Sequence, residues 1–369
     1  MPLVVSTPLA KRKTSDELAD QIEALAASLE GGLKHAILGY LLTHKDAVSL
    51  KALIEAIESG SIAKVLDIIT GTTKAAAAQG VTDAIASSVW AGAVLATSNI
   101  NMKLRGAAFA FDKLNPQLLE FINGYSFELI RRIDEQTVEA IKEVMHDGMK
   151  GGHGAAKIAR EIKQAIGLTP KQSKAVSNFR KELETFHLRS SATAWNLGEP
   201  IDRVNGHQVI RIGPDGKPLD GIEARRLRDF RFDKTLIKAM QTGKPLTPEQ
   251  IDKMVAAYER KYLRYRSETI ATTEALRTTN QGVQEAWRQA IQTGKADALL
   301  VRRQWIVAKD ERRCAHCSAV PGMNHKLGVP FDQPFKTPHG ALMLPPLHPR
   351  CRCVVFIRQY EPIQIQNAA

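Results

Sequence analysis

The 369-residue sequence predicts a mainly α fold that ends in a small C-terminal α+β module. Three observations carry this. Apolar residues recur at helical spacing through most of the first two-thirds, and no proline falls between Pro8 and Pro116. After residue 300 the texture changes to a proline-rich stretch between two short apolar runs, and that stretch holds all four cysteines.

Taken in order, residues 16–29 place Leu18, Ile22, Leu25 and Leu29 on one helical face. Residues 50–69 do the same, with Ser59–Gly60–Ser61 as a break between two helices. The alanine-rich run that follows favours helix, and its uncharged part, residues 84–102, is about long enough to span a bilayer. Serine, threonine and asparagine interrupt that part, so we read it as a buried or oligomer-facing helix and expect no membrane partner. Ile130, Ile133, Thr137, Ile141 and Val144 form a stripe at three- and four-residue steps, broken by Gly151, Gly152 and Gly154. Ile158, Ile162 and Ile166 then share a face up to Gly167.

Thr169–Pro170 with Gln172 is a capping-box start, repeated at Thr247–Pro248 with Gln250. Between these helices, residues 209–212 read as a strand and residues 214–216 as a turn, giving a β-hairpin arm. Trp305–Ile306–Val307 and residues 354–357 read as strands flanking a long loop. The organisation expected is an N-terminal helical region (1–105), a central helical domain (106–200), a hairpin and basic arm (201–245) and a helix with a cysteine module (246–369).

The net charge is +12, but residues 1–100 carry eight Lys/Arg against ten Asp/Glu, so the later part carries all the excess. That asymmetry points to a polyanion, with double-stranded DNA the first candidate. The candidate contacts are Arg225, Arg226, Arg228 and Arg231 in the arm, and Arg260, Lys261, Arg264 and Arg266 around Tyr258, Tyr262 and Tyr265. Those tyrosines at helical spacing also suit a core-facing stripe. The mildly apolar residues 1–10 precede Lys11, Arg12 and Lys13, the reverse of a secretory leader, so folding in a reducing cytosol is expected.

Cys314-x2-Cys317 and His348-x2-Cys351-x-Cys353 supply five soft donors, and tetrahedral zinc takes four. We therefore expect a zinc-knuckle-like module with structural Zn2+ on four of these five residues, with disulfides after oxidation or free thiols as the alternatives. A proline-rich loop has little core of its own, and structural zinc contributes roughly 10–16 kcal/mol of apparent free energy at neutral pH. His316, His325 and His339 are spare, and no zinc-hydrolase or deaminase pattern accompanies them. Glu274 has no obvious partner carboxylate and reads as a packing residue, while Asp310 reads as a cap before the cysteine pair.

The run Trp305-x4-Asp310-x3-Cys314-x2-Cys317, followed by Pro345–Pro346-x-His348–Pro349-x-Cys351–Arg352–Cys353, resembles the phage head morphogenesis domain of MuF-type minor head proteins. Gly151–Gly152–His153, the 158–162 helix, the 167–172 cap, the 266–274 run and Asn280–Gln281–Gly282 agree, so the resemblance spans about residues 107–357. Thr272 departs from it, because the family often has Arg there. The resemblance implies a non-enzymatic minor head protein inside the capsid of a tailed phage, reached after assembly in the host cytoplasm. Its implied partners are the portal protein, the major capsid protein or scaffold, packaged DNA and a homo-oligomer. The alternatives are a zinc-stabilised HNH-like nuclease, weakened by Leu347 preceding His348, and a scaffold lost on maturation.

Overall fold

The computed structural model describes residues 14–71, 75–102, 108–188, 229–308 and 314–366. Helices dominate: α1 (Ser15–Ala47), α2 (Leu50–Glu58), α3 (Ile62–Thr70), α4 (Ala75–Asn101), α5 (Pro116–Lys150), α6 (Ala155–Ala165), α7 (Pro170–Glu184), α8 (Asp233–Thr242) and α9 (Pro248–Gln292). The C-terminal part carries β1 (Val301–Ile306), α10 (Ala315–Ala319), β2 (Val329–Pro330), β3 (Phe335–Thr337), β4 (Gly340–Leu342), β5 (Val354–Gln359) and α11 (Pro362–Gln366). The expected hairpin at 209–216 and the expected cap Asp310 lie outside the described residues.

The chain forms two compact units. The first comprises Met1–Ile37, Ala76–Glu128 and Ser267–Ala369; the second comprises Leu38–Ala75 and Leu129–Arg266. Helices α1, α4 (through Ala75), α5 and α9 contribute residues to both.

In the second unit the helix boundaries follow capping chemistry. Ser49 and Ser61 accept from the backbone N–H groups of Ala52 and Lys64, so α2 and α3 start separately, with the Gly60 turn between them. Thr169 and Gln172 cap α7 reciprocally, and Thr247 and Gln250 do the same for α9. The core joins Leu53, Val65 and Ile69 to Ile141, Ile158 and Ile162, all buried. Thr137, in the predicted stripe, is fully buried because its hydroxyl donates back to the Ile133 carbonyl at 3.0 Å. Residues 230–242, which the sequence reading put in the arm, form a 3-10 turn capped by Asp229 and then α8, which Gly243 ends at φ +63°.

In the first unit, α4 packs against α9 at backbone contact distance. A Cβ on Gly92 would stand 2.2 Å from the Thr279 carbonyl oxygen, and one on Gly282 would stand 1.9 Å from that of Val89. Helix α4 is long and apolar enough to cross a membrane by length and composition alone, as core helices also are.

The predicted strands pair antiparallel, Trp305 opposite Val355, in a sheet of order β2-β1-β5. The intervening stretch is not the structureless loop expected. It folds into α10, β2 and the β3–β4 hairpin, because Arg303 draws it inward. This fully buried guanidinium donates to the carbonyls of Met343 (2.7 Å) and Gln333 and to Gln284, and lies over the rings of Phe331 and Phe335. Burial lowers its pKa to about 10, so it stays charged at neutral pH.

Replacing Gly282 by alanine forces a methyl into the Val89 carbonyl. The expected cost is about 1–3 kcal/mol, typical of core overpacking, seen as a lower midpoint in denaturant unfolding. An unchanged midpoint would show that α4 and α9 separate freely.

Candidate metal centre

The five predicted donors come together in the first unit. Cys314 caps α10, its Sγ accepting from the Cys317 backbone N–H at 3.2 Å, and Cys317 follows one turn later. His348, Cys351 and Cys353 arrive on the segment before β5. The His348 Nε2 lies 3.0 Å from Cys314 Sγ and 3.2 Å from Cys317 Sγ, and Cys317 Sγ lies 3.5 Å from Cys351 Sγ. Two triads result, Cys314–Cys317–His348 and Cys317–Cys351–Cys353, each with its donor atoms within 4.8 Å of one another. Cys317, Cys351 and Cys353 are buried and Cys314 is half-buried.

The electrostatics fit a cation. A hydrogen bond with Cys353 pulls the Cys351 thiol down to about 5, while the same contact and burial drive Cys353 up. Burial, then the contact with Cys314, raises Cys317. Burial opposes charge on His348, but its hydrogen bonds to the Pro349 carbonyl and to Cys314 raise it overall. The His348 Nδ1 lies 2.9 Å from the Pro349 carbonyl oxygen, a bond that holds the ring with Nε2 toward the sulfurs, as a metal-bound imidazole requires. Tetrahedral zinc, with Zn–S near 2.3 Å and Zn–N near 2.1 Å, sets donor–donor edges of roughly 3.6–3.8 Å. The observed separations of 3.0–3.5 Å lie just inside those edges. The donor set is close enough, and of the right chemistry, to hold a metal ion.

The sequence reading missed the groups that hold the donors. Asn280, fully buried on α9, and Arg350, which adopts φ +57°, both bond the ligand segment to that helix. Asn280 stood out only as part of a motif, and the bonds of Arg350 to α9 span a separation in sequence that no local pattern reports.

The predicted cations divide. Arg225, Arg226 and Arg228 lie outside the described residues. Arg231 is exposed and paired to Asp229 at 2.6 Å. On α9, Arg260 and Arg264 are exposed, and Lys261 is half-buried with its ammonium 5.5 Å from the Phe230 ring centroid. Arg266 is a correction. It is only 3% exposed, and its guanidinium donates to the carbonyls of Gly167 (2.6 Å) and Ile133 (3.2 Å) and to Gln136. It braces the second unit and has no surface to offer a phosphate. Tyr258 is buried and stacked on Phe179, centroids 4.2 Å apart, with Tyr262 edge-on, while Tyr265 remains 38% exposed. Glu274 is buried and accepts from the Tyr125 hydroxyl, the packing role expected of it. Thr272, at the departure from the family pattern, donates to Glu30 at 3.1 Å.

Cys314→Ser removes one sulfur donor while keeping a side chain that can cap α10. It is expected to lower the melting temperature and release bound zinc, read by calorimetry and elemental analysis. Wild-type protein with no zinc, purified under reducing conditions, would remove the metal reading.

Residues 231–356 match the family model described as Phage Mu protein F like protein. The match lies inside the 107–357 span of the motif resemblance and contains α8, α9 and all five donors. Over this segment, about a third of its length, the chain is similar to that family, which supports a phage head-morphogenesis protein of the MuF type. No curated protein and no solved structure matches the chain.

Proposed function

We propose, on the premise that residues 231–356 are a MuF-type segment, that the chain is a low-copy, non-enzymatic component of the head interior of a tailed phage. It sits near the portal, with the portal protein and the major capsid protein or scaffold as its protein partners. The observation that carries the reading is that the matched segment also contains the clustered cysteines and histidine. In this reading four of Cys314, Cys317, His348, Cys351 and Cys353 hold a structural zinc, supported by the two triads that share Cys317. The metal supplies a cross-link between α10 and the segment before β5, and no reaction is assigned to it. Residues 1–105 serve in oligomerisation or portal docking.

Packaged DNA is contacted non-specifically through the exposed Arg231, Arg260 and Arg264, with Lys261 at their margin and Arg225, Arg226 and Arg228 assigned by charge alone. The restriction of the positive excess to residues after 100 supports this.

Quantitative mass spectrometry of purified mature particles, scaled to the portal protein, should find a few copies per portal ring. Absence from particles would favour a scaffold lost on maturation. In a separate assay, plasmid incubated with the protein and magnesium should be retarded without nicking, the retardation fading as salt rises. Nicking would favour the nuclease, and salt-independent retardation would overturn phosphate contact as the mode of binding.

A further inference from the structure

Three of the five donors, His348, Cys351 and Cys353, sit on a segment tied to one face of α9 and, through Arg352 donating to Glu23 at 3.1 Å, to α1. Thr269, Thr273 and Asn280 are spaced four and then seven residues apart, which brings them onto one side of the helix over roughly 16 Å. Asn280 grips both ends of the segment. Its Nδ2 donates to the carbonyls of Pro345 and Cys353, each at 3.4 Å, and its Oδ1 accepts from the Val355 N–H at 3.0 Å. Arg350 docks the middle. Its backbone N–H donates to Thr273 Oγ1 at 3.1 Å, and its Nε and Nη2 donate to Thr269 Oγ1 at 3.2 and 3.0 Å. The Thr273 hydroxyl can accept because its own proton goes to the Thr269 carbonyl at 2.8 Å. The backbone at Arg350 is left-handed, a conformation that side chains resist and that surrounding contacts must hold.

We propose that the Thr269–Thr273–Asn280 strip of α9 positions the metal-binding segment, so that His348, Cys351 and Cys353 are aimed at Cys314 and Cys317 before the ion arrives. The inference rests on the metal reading above and assigns work to two motifs, residues 266–274 and Asn280–Gln281–Gly282, that the head-protein role leaves without a task. None of the three residues touches the metal. They act through the segment's backbone, so their loss reaches metal retention without removing a ligand. Groups that orient ligands in this way change metal affinity by about 10–100-fold when replaced.

The test is the rate at which the zinc-loaded full-length protein yields its metal to a chromogenic chelator. Asn280→Ala and Thr273→Val should release zinc about tenfold or more faster, whereas Thr273→Ser, which keeps the hydroxyl, should stay within about threefold of wild type. Ile162→Ala, a core change in the second unit, is the control for lost stability and should leave release unchanged. If Asn280→Ala does not fold, the Thr273 pair decides alone. Wild type that holds no zinc overturns the metal reading and this inference together. Zinc held by wild type and released equally fast from the Thr273→Val variant overturns this inference and leaves the metal reading standing.

Discussion

The close approach of α4 to α9 constrains the rest of the first unit. Glycines at 92 and 282 let the helix backbones meet where any Cβ would strike a carbonyl oxygen. The same turn of α9 then has two jobs. Thr279 and Gly282 lie against α4, and Asn280 reaches the segment before β5. Small residues on one side are what allow a polar residue on the other to be fully buried and still hydrogen-bonded. An unsatisfied carboxamide there would cost a few kcal/mol of desolvation, so its three backbone partners are part of the packing.

Positive charge in this protein serves two separate ends. Arg266 and Arg303 are buried, and each satisfies its guanidinium largely with backbone carbonyls. Desolvation lowers both to about 10, which still leaves them protonated at neutral pH. Arg303 gathers β1, the β3–β4 hairpin and the Met343 carbonyl around one cation, doing for the C-terminal module what a larger apolar core does elsewhere. Arg231, Arg260 and Arg264, by contrast, are exposed. The net charge of +12 therefore overstates the charge available for binding, since part of it holds the fold together.

The cysteine cluster shows why such a module suits a metal. Its donors are close enough that, without an ion, they share protons among two lowered and two raised thiols and a raised imidazole. A divalent cation held there would replace those protons, so its binding would release them and weaken in acid. The pairing of β1 with β5 places the segment before β5 in the same unit as Cys314 and Cys317, so donors that could hold an ion are gathered by the fold.

Local signals determined much of this protein. The helix starts at Thr169 and Thr247, the break at Ser59–Gly60–Ser61, the stripe through Ile133, Thr137 and Ile141, and the strands around Trp305 and Val355 were all legible, because capping and periodicity act over a few residues. The five donors were legible too, since soft ligands gathered in one block in a chain expected to fold in a reducing environment leave few other readings. What only the tertiary structure decided involves long separations in the chain. It spent Arg266 on the Gly167 carbonyl, buried Arg303 within an otherwise apolar strand face, folded the stretch between β1 and β5, and set Thr269, Thr273 and Asn280 against the ligand segment. A basic residue in a sequence looks the same whether it faces solvent or a carbonyl 99 residues away, and only packing distinguishes the two.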